Sequence, residues 1–295
     1  MSFESFLFVL TGGVVLGALY ALMAAGLAVV WTTLGIFNFS HGAFVALGAY
    51  LGWTVSNSDA LGLGHIAGLS ASLLGMFALG VVFQQIFIRP FERKDNIIAA
   101  TVITTLAGAT ILQNGMLLLW GPRSKQISAF GDGSVALGPV AFSWNDIVLI
   151  VMVALILGAV GWFLARTRTG RSMRAVSQNR QAAELMGLDV PMLYALAFGL
   201  SAAMAGVAGY FVGSIRFINP NMGADPLMKA LIVVIFGGIA RFTSPIYAAL
   251  IVGLVESFTT FYLGLYWAPA MLFAMMMIVL TIKPSGLFGT HQRTL

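Results

Sequence analysis

The stretch IVLIVMVALILGAVGWFLA, from Ile147 to Ala165, decides the fold class. It carries no charge and is apolar on every face, with no alternation of polar and apolar positions. As a helix rising about 1.5 Å per residue, it matches the roughly 30 Å hydrocarbon core of a bilayer. Within hydrocarbon every backbone N–H and C=O must be paired inside the protein, which leaves helices or a closed barrel. A barrel strand would be shorter and would alternate with period two. Ile147–Ala165 does neither, so it is predicted to be a spanning helix.

Further apolar segments flank it at 6–30, 43–55, 66–88, 97–120, 192–215, 227–239, 246–263 and 269–282. Two of these, 43–55 and 227–239, reach only about 20 Å as helices and are expected to be half-helices or to borrow turns from their neighbours. The expected fold is all-α: a polytopic transmembrane helical bundle of eight segments, or nine if both short ones cross. The whole chain, 1–295, is expected to form one transmembrane domain. Of its 295 residues, 59% are hydrophobic and 8% charged, and mean hydropathy is +0.95. A soluble domain carries about 25% charged residues, so lipid is the solvent for most of this chain. The first residues, Met-Ser-Phe-Glu, lack a positive leader, so the first apolar run is expected to stay as a span.

The 34 glycines suit close helix packing in a membrane. Gly13/Gly17, Gly48/Gly52 and Gly209/Gly213 stand at GxxxG spacing and are expected to pack within the chain rather than to dimerise it. With Cys 0, disulfides, thiolate nucleophiles and cysteine-held metals are excluded. The net charge of +5 does not point to nucleic acid, because the basic residues occupy short connections between apolar runs. Arg89, Arg93 and Lys94 share one connection; Arg166, Arg168, Arg171, Arg174 and Arg180 share another; Lys283 and Arg293 follow the last segment. These fall on one side if segments alternate, and that side is expected to be cytoplasmic. The opposite connections are poorer, with Asp59 in one, Arg123 and Lys125 in another, and Arg216 in a third. The C-terminus is therefore expected inside and, on a count of nine, the N-terminus outside.

No HExxH, GxSxG or P-loop motif occurs, and His41, His65 and His291 are scattered. No enzyme activity, catalytic residue, metal or cofactor is expected, so energy must come from a partner or a gradient. Glu256 is a carboxylate inside an apolar run, open to either a structural pairing or a pathway role. Asp225 and Lys229 lie near the mouth of another run, and Asp146 near the start of a third. Asn38, Ser40 and His41 interrupt the chain between the first long segment and a short one. They could cap a turn or line a solute path. For Gln113 and Asn114, interhelical hydrogen bonding is the leading expectation, with a pathway role for Asn114 beside it.

The polar stretch 167–191 contains a short amphipathic helix. Asn179 can cap a helix over 180–186 and Gly187 can end it. Ala182, Ala183, Leu185 and Met186 fall on one face at 100° per residue, with Arg180, Gln181 and Glu184 on the other. Two turns are marginal alone in water, so this helix is expected to dock, either on the membrane surface or on a protein.

Several blocks then resemble a known family. Gly35-Ile36-Phe37-Asn38-Phe39-Ser40-His41-Gly42 with Leu47-Gly48-Ala49-Tyr50, Arg89-Pro90-Phe91, Gln113-Asn114, Asn219-Pro220 with Gly223-Ala224-Asp225-Pro226-Leu227 and Lys229, Gly237-Gly238, and Pro284-Ser285-Gly286-Leu287-Phe288-Gly289 occur in order. Together they are similar to the permeases of ABC importers for branched-chain amino acids, the LivH-type group that also includes urea and short-chain amide permeases. Gln181-Ala182-Ala183-Glu184-Leu185-Met186-Gly187 resembles that family's EAA-type loop, with Gln181 in place of the motif's Glu and without its downstream I-x-L-P element. Ala240-Arg241-Phe242-Thr243-Ser244-Pro245 departs from the family's Gly-Ser-rich turn. The resemblance implies an inner-membrane importer subunit for a small polar or zwitterionic solute. Its partners would be ATP-binding cassette subunits, a second permease subunit and an extracytoplasmic solute-binding protein, with Gln181, Ala182, Ala183, Glu184 and Gly187 coupling to the ATPase. Asn38, Ser40, His41, Asn114 and Glu256 are the pathway candidates. A self-sufficient channel or gradient-driven carrier is the alternative, and an intramembrane enzyme lacks any nucleophile or metal signature.

Overall fold

A computed structural model describes residues 3–57, 60–92, 96–131, 133–137, 140–239 and 241–289; Asp59, Arg93, Lys94, Ala240, His291 and Arg293 lie outside the described residues. Among the described residues eleven α-helices follow one another: α1 (Phe3–Leu34), α2 (His41–Ser56), α3 (Gly64–Phe83), α4 (Ile97–Trp120), α5 (Trp144–Arg166), α6 (Arg168–Gln178), α7 (Arg180–Leu185), α8 (Val190–Ile215), α9 (Ala224–Gly237), α10 (Ser244–Leu263) and α11 (Ala268–Ile282). A small antiparallel hairpin, β1 (Ser134–Leu137) with β2 (Val140–Ser143), pairs Ser134 with Ser143 and Val135 with Phe142.

All nine expected segments are helical. Seven helical stretches among the described residues are long and apolar enough to cross a bilayer. The 16 residues of α2 and the 14 of α9 give about 24 Å and 21 Å, short of the hydrocarbon thickness. The sequence did not reveal α6, because its arginine-rich composition reads as a polar connection.

The chain forms two compact units: unit 1 is Met1–Ala28, Ala129–Leu157 and Met228–Leu295, and unit 2 is Val29–Ser128 and Gly158–Leu227. In unit 2, α2 packs against both α3 and α8. Twelve of its 16 residues are buried, so it is a core helix on every side. Lipid tails are as apolar as leucine, so close packing rather than hydrophobic exclusion must hold such helices together. Glycine makes that approach possible: a Cβ at Gly48 would stand 2.7 Å from the Gly206 carbonyl oxygen, and one at Gly68 would stand 2.8 Å from that of Gly52. Gly209 meets Val45, and Gly213 meets Ile218 and Ile127. Beyond Phe83 the helix widens to a π turn over Gln84–Ile88 and then tightens to a 3-10 turn over Arg89–Phe91, which contains Pro90.

In unit 1, Gly13 and Gly17 of α1 pack on Leu250 and Gly253 of α10; a Cβ at Gly253 would come 2.6 Å from Gly17 Cα. All three GxxxG pairs therefore work inside the chain, as expected. Ser257 Oγ donates to the Val9 carbonyl at 2.7 Å and reinforces the same contact. The end of α9 is sealed by a remote segment. Leu287 N–H donates to the Phe236 carbonyl at 2.8 Å and Phe288 N–H to that of Gly237 at 3.1 Å. Helix ends leave bare carbonyls, and inside a membrane these need protein partners. The Pro284–Gly289 block thus has a physical role, which is to cap a half-helix.

Candidate functional site

The 167–191 stretch is built almost wholly from caps. Thr167 Oγ1 accepts from Gly170 N–H at 3.0 Å and starts α6. Asn179 ends α6 and begins α7: its N–H donates to the Ala175 carbonyl at 3.1 Å, and its Oδ1 accepts from Ala182 N–H at 2.9 Å. Gly187 sits at φ +81°, a left-handed conformation that suits a residue without a Cβ. There Gly187 N–H donates to Glu184 and Leu188 N–H to Ala183, at 3.0 and 3.1 Å, closing a Schellman motif. Asp189 then caps α8 by accepting from Met192 N–H at 3.2 Å. The helix spans Arg180–Leu185, in place and extent close to the sequence expectation.

Its apolar face is left largely open. Ala183 alone turns inward, at 5% exposure, whereas Gln181, Ala182, Glu184 and Gly187 are exposed. Leu185 and Met186 are exposed at 89% and 82%, so most of the apolar face is uncovered. With only six residues, α7 buries a single small side chain against the bundle and presents the rest. Arg180 anchors it. Its Nε lies 3.0 Å from Glu184 Oε1, its Nη1 donates to the Glu92 carbonyl at 2.7 Å, and its guanidinium stands 5.6 Å from the Tyr194 ring centroid. Burial pulls the Arg180 guanidinium down, but the bond to Glu184 and the neighbouring charges outweigh it and hold the group above its ordinary value. Glu92 is itself buried and accepts from Gln84 Nε2 at the π turn, so α7 is tied to the end of α3.

Asn38, Ser40 and His41 form one cluster in unit 2, each 1% exposed or less. Asn38 Oδ1 accepts from Ser40 N–H at 3.0 Å and its carbonyl accepts from His41 N–H at 3.2 Å. Ser40 Oγ donates to the Thr105 carbonyl of α4, and His41 Nδ1 lies 3.4 Å from Ser201 Oγ on α8. These bonds secure the break between α1 and α2. Just beyond it, a Cβ at Gly42 would stand 3.0 Å from the Gly223 carbonyl carbon, so the first turn of α2 meets the residue that precedes α9. Asn114 stands outside this cluster. It is exposed, and its Nδ2 donates to the Thr110 carbonyl at 2.8 Å within its own helix rather than to a second one. Among the described residues this amide makes no bond to a second helix; its Nδ2 reaches back one turn of its own helix instead.

Glu256 belongs to a separate network in unit 1. Its Oε1 lies 2.7 Å from Lys229 Nζ, and its Oε2 accepts from the Tyr20 hydroxyl at 2.7 Å. Lys229 Nζ also stands 5.6 Å from the centroid of the Tyr20 ring. Glu256 is 2% exposed and Lys229 7%. The helix-to-helix pairing open to Glu256 is present. Lys229 lies early in α9 and pairs with Glu256 of α10. Its separation from Glu256 by 27 positions, and that of Tyr20 by 236, hid both partners from the sequence.

Residues 9–280 match the family described as the permease component of the branched-chain amino acid transport system. The chain is 29% identical to the high-affinity branched-chain amino acid transport system permease protein LivH of Escherichia coli (strain K12), with 98% of each covered. It is 27% identical to the corresponding protein BraD of Pseudomonas aeruginosa, with 96% of this chain and 95% of that one covered. Among solved structures, PsaBC from Streptococcus pneumoniae in complex with Fab shares the fold at a TM-score of 0.50 and 14% identity, over 93% of this chain and 91% of that one. A helical bundle with two short helices, together with a family match across 9–280, supports one assignment: the chain belongs to the family of permease components of branched-chain amino acid transport systems.

Proposed function

We propose that this chain is the translocation subunit of an ATP-driven importer. It would carry a small polar or zwitterionic solute, such as a branched-chain amino acid, urea or a short-chain amide, into the cytoplasm. The names of its relatives support the amino acid first. ATP hydrolysis is assigned to separate ATP-binding cassette subunits, delivery to an extracytoplasmic solute-binding protein, and the other half of the pathway to a second permease subunit. The location is the inner membrane, with the C-terminus and the 167–191 loop on the cytoplasmic side, as the arginine distribution favours. Asn38, Ser40, His41, Asn114 and Glu256 remain the candidates for the solute path.

The observation that carries this reading is the uncovered tip of α7. Two large apolar side chains, Leu185 and Met186, project from a helix locked at both ends by caps. Covering each against a groove of the ATPase would contribute about 1.5–3 kcal/mol. Gln181, Ala182, Glu184 and Gly187 surround that tip and would share the contact, and Arg180 would pass the stroke to Glu92 and Tyr194. The test is Leu185→Asp in the complex reconstituted with its cognate ATPase subunits. A loss of about 2 kcal/mol weakens association roughly 30-fold, and uptake should fall with it while membrane insertion is kept. Normal association and uptake would remove α7 as the coupling element.

The alternative, a self-sufficient channel or gradient-driven carrier, would use Glu256 and His41 as polar pathway groups. Solute flux through the chain alone in liposomes would favour the alternative.

A further inference from the structure

The outer side of α6, together with the end of α5, is basic. Arg166, Arg168 and Arg171 are exposed, and among the described residues no carboxylate pairs with any of them. Helix α6 contains no acidic residue, and the nearby Glu184 is held by Arg180. Arg174 acts differently. Its guanidinium donates to the Leu164 carbonyl and approaches that of Ala165 at 3.4 Å, closing off the end of α5. Gly170 packs on the same turn, where a Cβ would come 2.6 Å from Leu164 Cα. These two contacts fold α6 back against residues 163–165 instead of letting it project away.

That placement fixes its depth. Trp162 lies on the adjoining turn of α5 and is 64% exposed. Exposed indoles at the ends of spanning helices sit at headgroup level. A helix folded onto that turn lies at the same level, with Gly170, Met173 and Val176 buried and the arginines on the opposite side. A guanidinium held at this depth meets phosphate, which it can bind bidentately.

We propose that Arg166, Arg168 and Arg171 form a docking surface for anionic phospholipid headgroups of the surrounding leaflet. Charge complementarity and depth both select a lipid over a soluble acidic partner. Because Asn179 is at once the last cap of α6 and the first cap of α7, a lipid gripping α6 also steadies α7. This consequence for coupling rests on the function proposed above; the lipid site itself does not.

The test is native mass spectrometry of the full-length chain released from nanodiscs of mixed phosphatidylglycerol and phosphatidylcholine. Wild type should retain phosphatidylglycerol in preference, and about 0.5 M salt should weaken that preference, as expected for exposed charges (Debye length about 4 Å). Arg168→Gln/Arg171→Gln should lose the preference about fivefold or more, and Arg168→Lys/Arg171→Lys should keep part of it. Absence of preference in wild type, or its persistence in the glutamine variant, would overturn the proposal. So would inorganic phosphate displacing the lipid at millimolar concentration, which would mark a free-anion site. A glutamine variant that keeps its lipid but loses the ATPase would instead mark a protein surface, and would equally overturn it. Leu185→Asp separates the two claims: an unaffected complex sinks the role of α7 and leaves the lipid result standing.

Discussion

In unit 1 a carboxylate from α10 pairs with an amine from α9 and accepts from a phenol of α1, each at 2.7 Å. In unit 2 the buried polar groups at the α1–α2 break include no carboxylate or amine; Asn38 bonds to backbone N–H groups two and three residues on, while Ser40 and His41 reach across to α4 and α8. Both arrangements bury polar atoms away from water, with Asn38 Nδ2 finding no hydrogen-bond partner among the described residues, and they fail differently. A charged pair that loses one member leaves an ion in a low-dielectric interior, whereas a neutral turn that loses one bond leaves a single dipole. Unit 1 should therefore be brittle at these residues, and unit 2 forgiving.

Lys229→Met should have the largest effect. It strands Glu256 and should cost about 3–5 kcal/mol, measured by unfolding in detergent or nanodiscs. Adding Glu256→Leu should recover most of that loss; a double variant no better than the single one would show that the pair is not the cause. Tyr20→Phe removes one charge-assisted bond and should cost about 1.5–3 kcal/mol, seen in the same assay. Asn38→Ala frees the Ser40 N–H and should cost only about 1–2 kcal/mol. A cost at Asn38 above that at Lys229 would reverse the contrast between the units.

The sequence made some of this legible and not the rest, for physical reasons. Every spanning helix was visible because hydrocarbon imposes length and apolarity on each one separately. Helix α7 was visible because its limits are chemical, with Asn179 and Gly187 carrying the caps in their own side-chain and backbone preferences. Helix α6 was not, since four arginines in and just ahead of it mask a buried face of only Gly170, Met173 and Val176. The apolar face of α7 was predicted by its angles, but which part is covered depends on α6 and α8, which no local pattern specifies. The coupling of Glu256 to Lys229 and Tyr20 is set by how three helices cross, and spacing along the chain does not encode it.

The sealing of α9 by Leu287 and Phe288 has a consequence for biogenesis. A ribosome delivers α9 to the insertion machinery well before it has made the residues that cover the Phe236 and Gly237 carbonyls. During that interval the end of the half-helix is open, and water, a chaperone or a neighbouring loop must tend it. Maturation of this region is therefore tied to the completion of synthesis, and a stop codon placed just after Ile282 would yield a protein whose spans are all present but whose α9 is never finished.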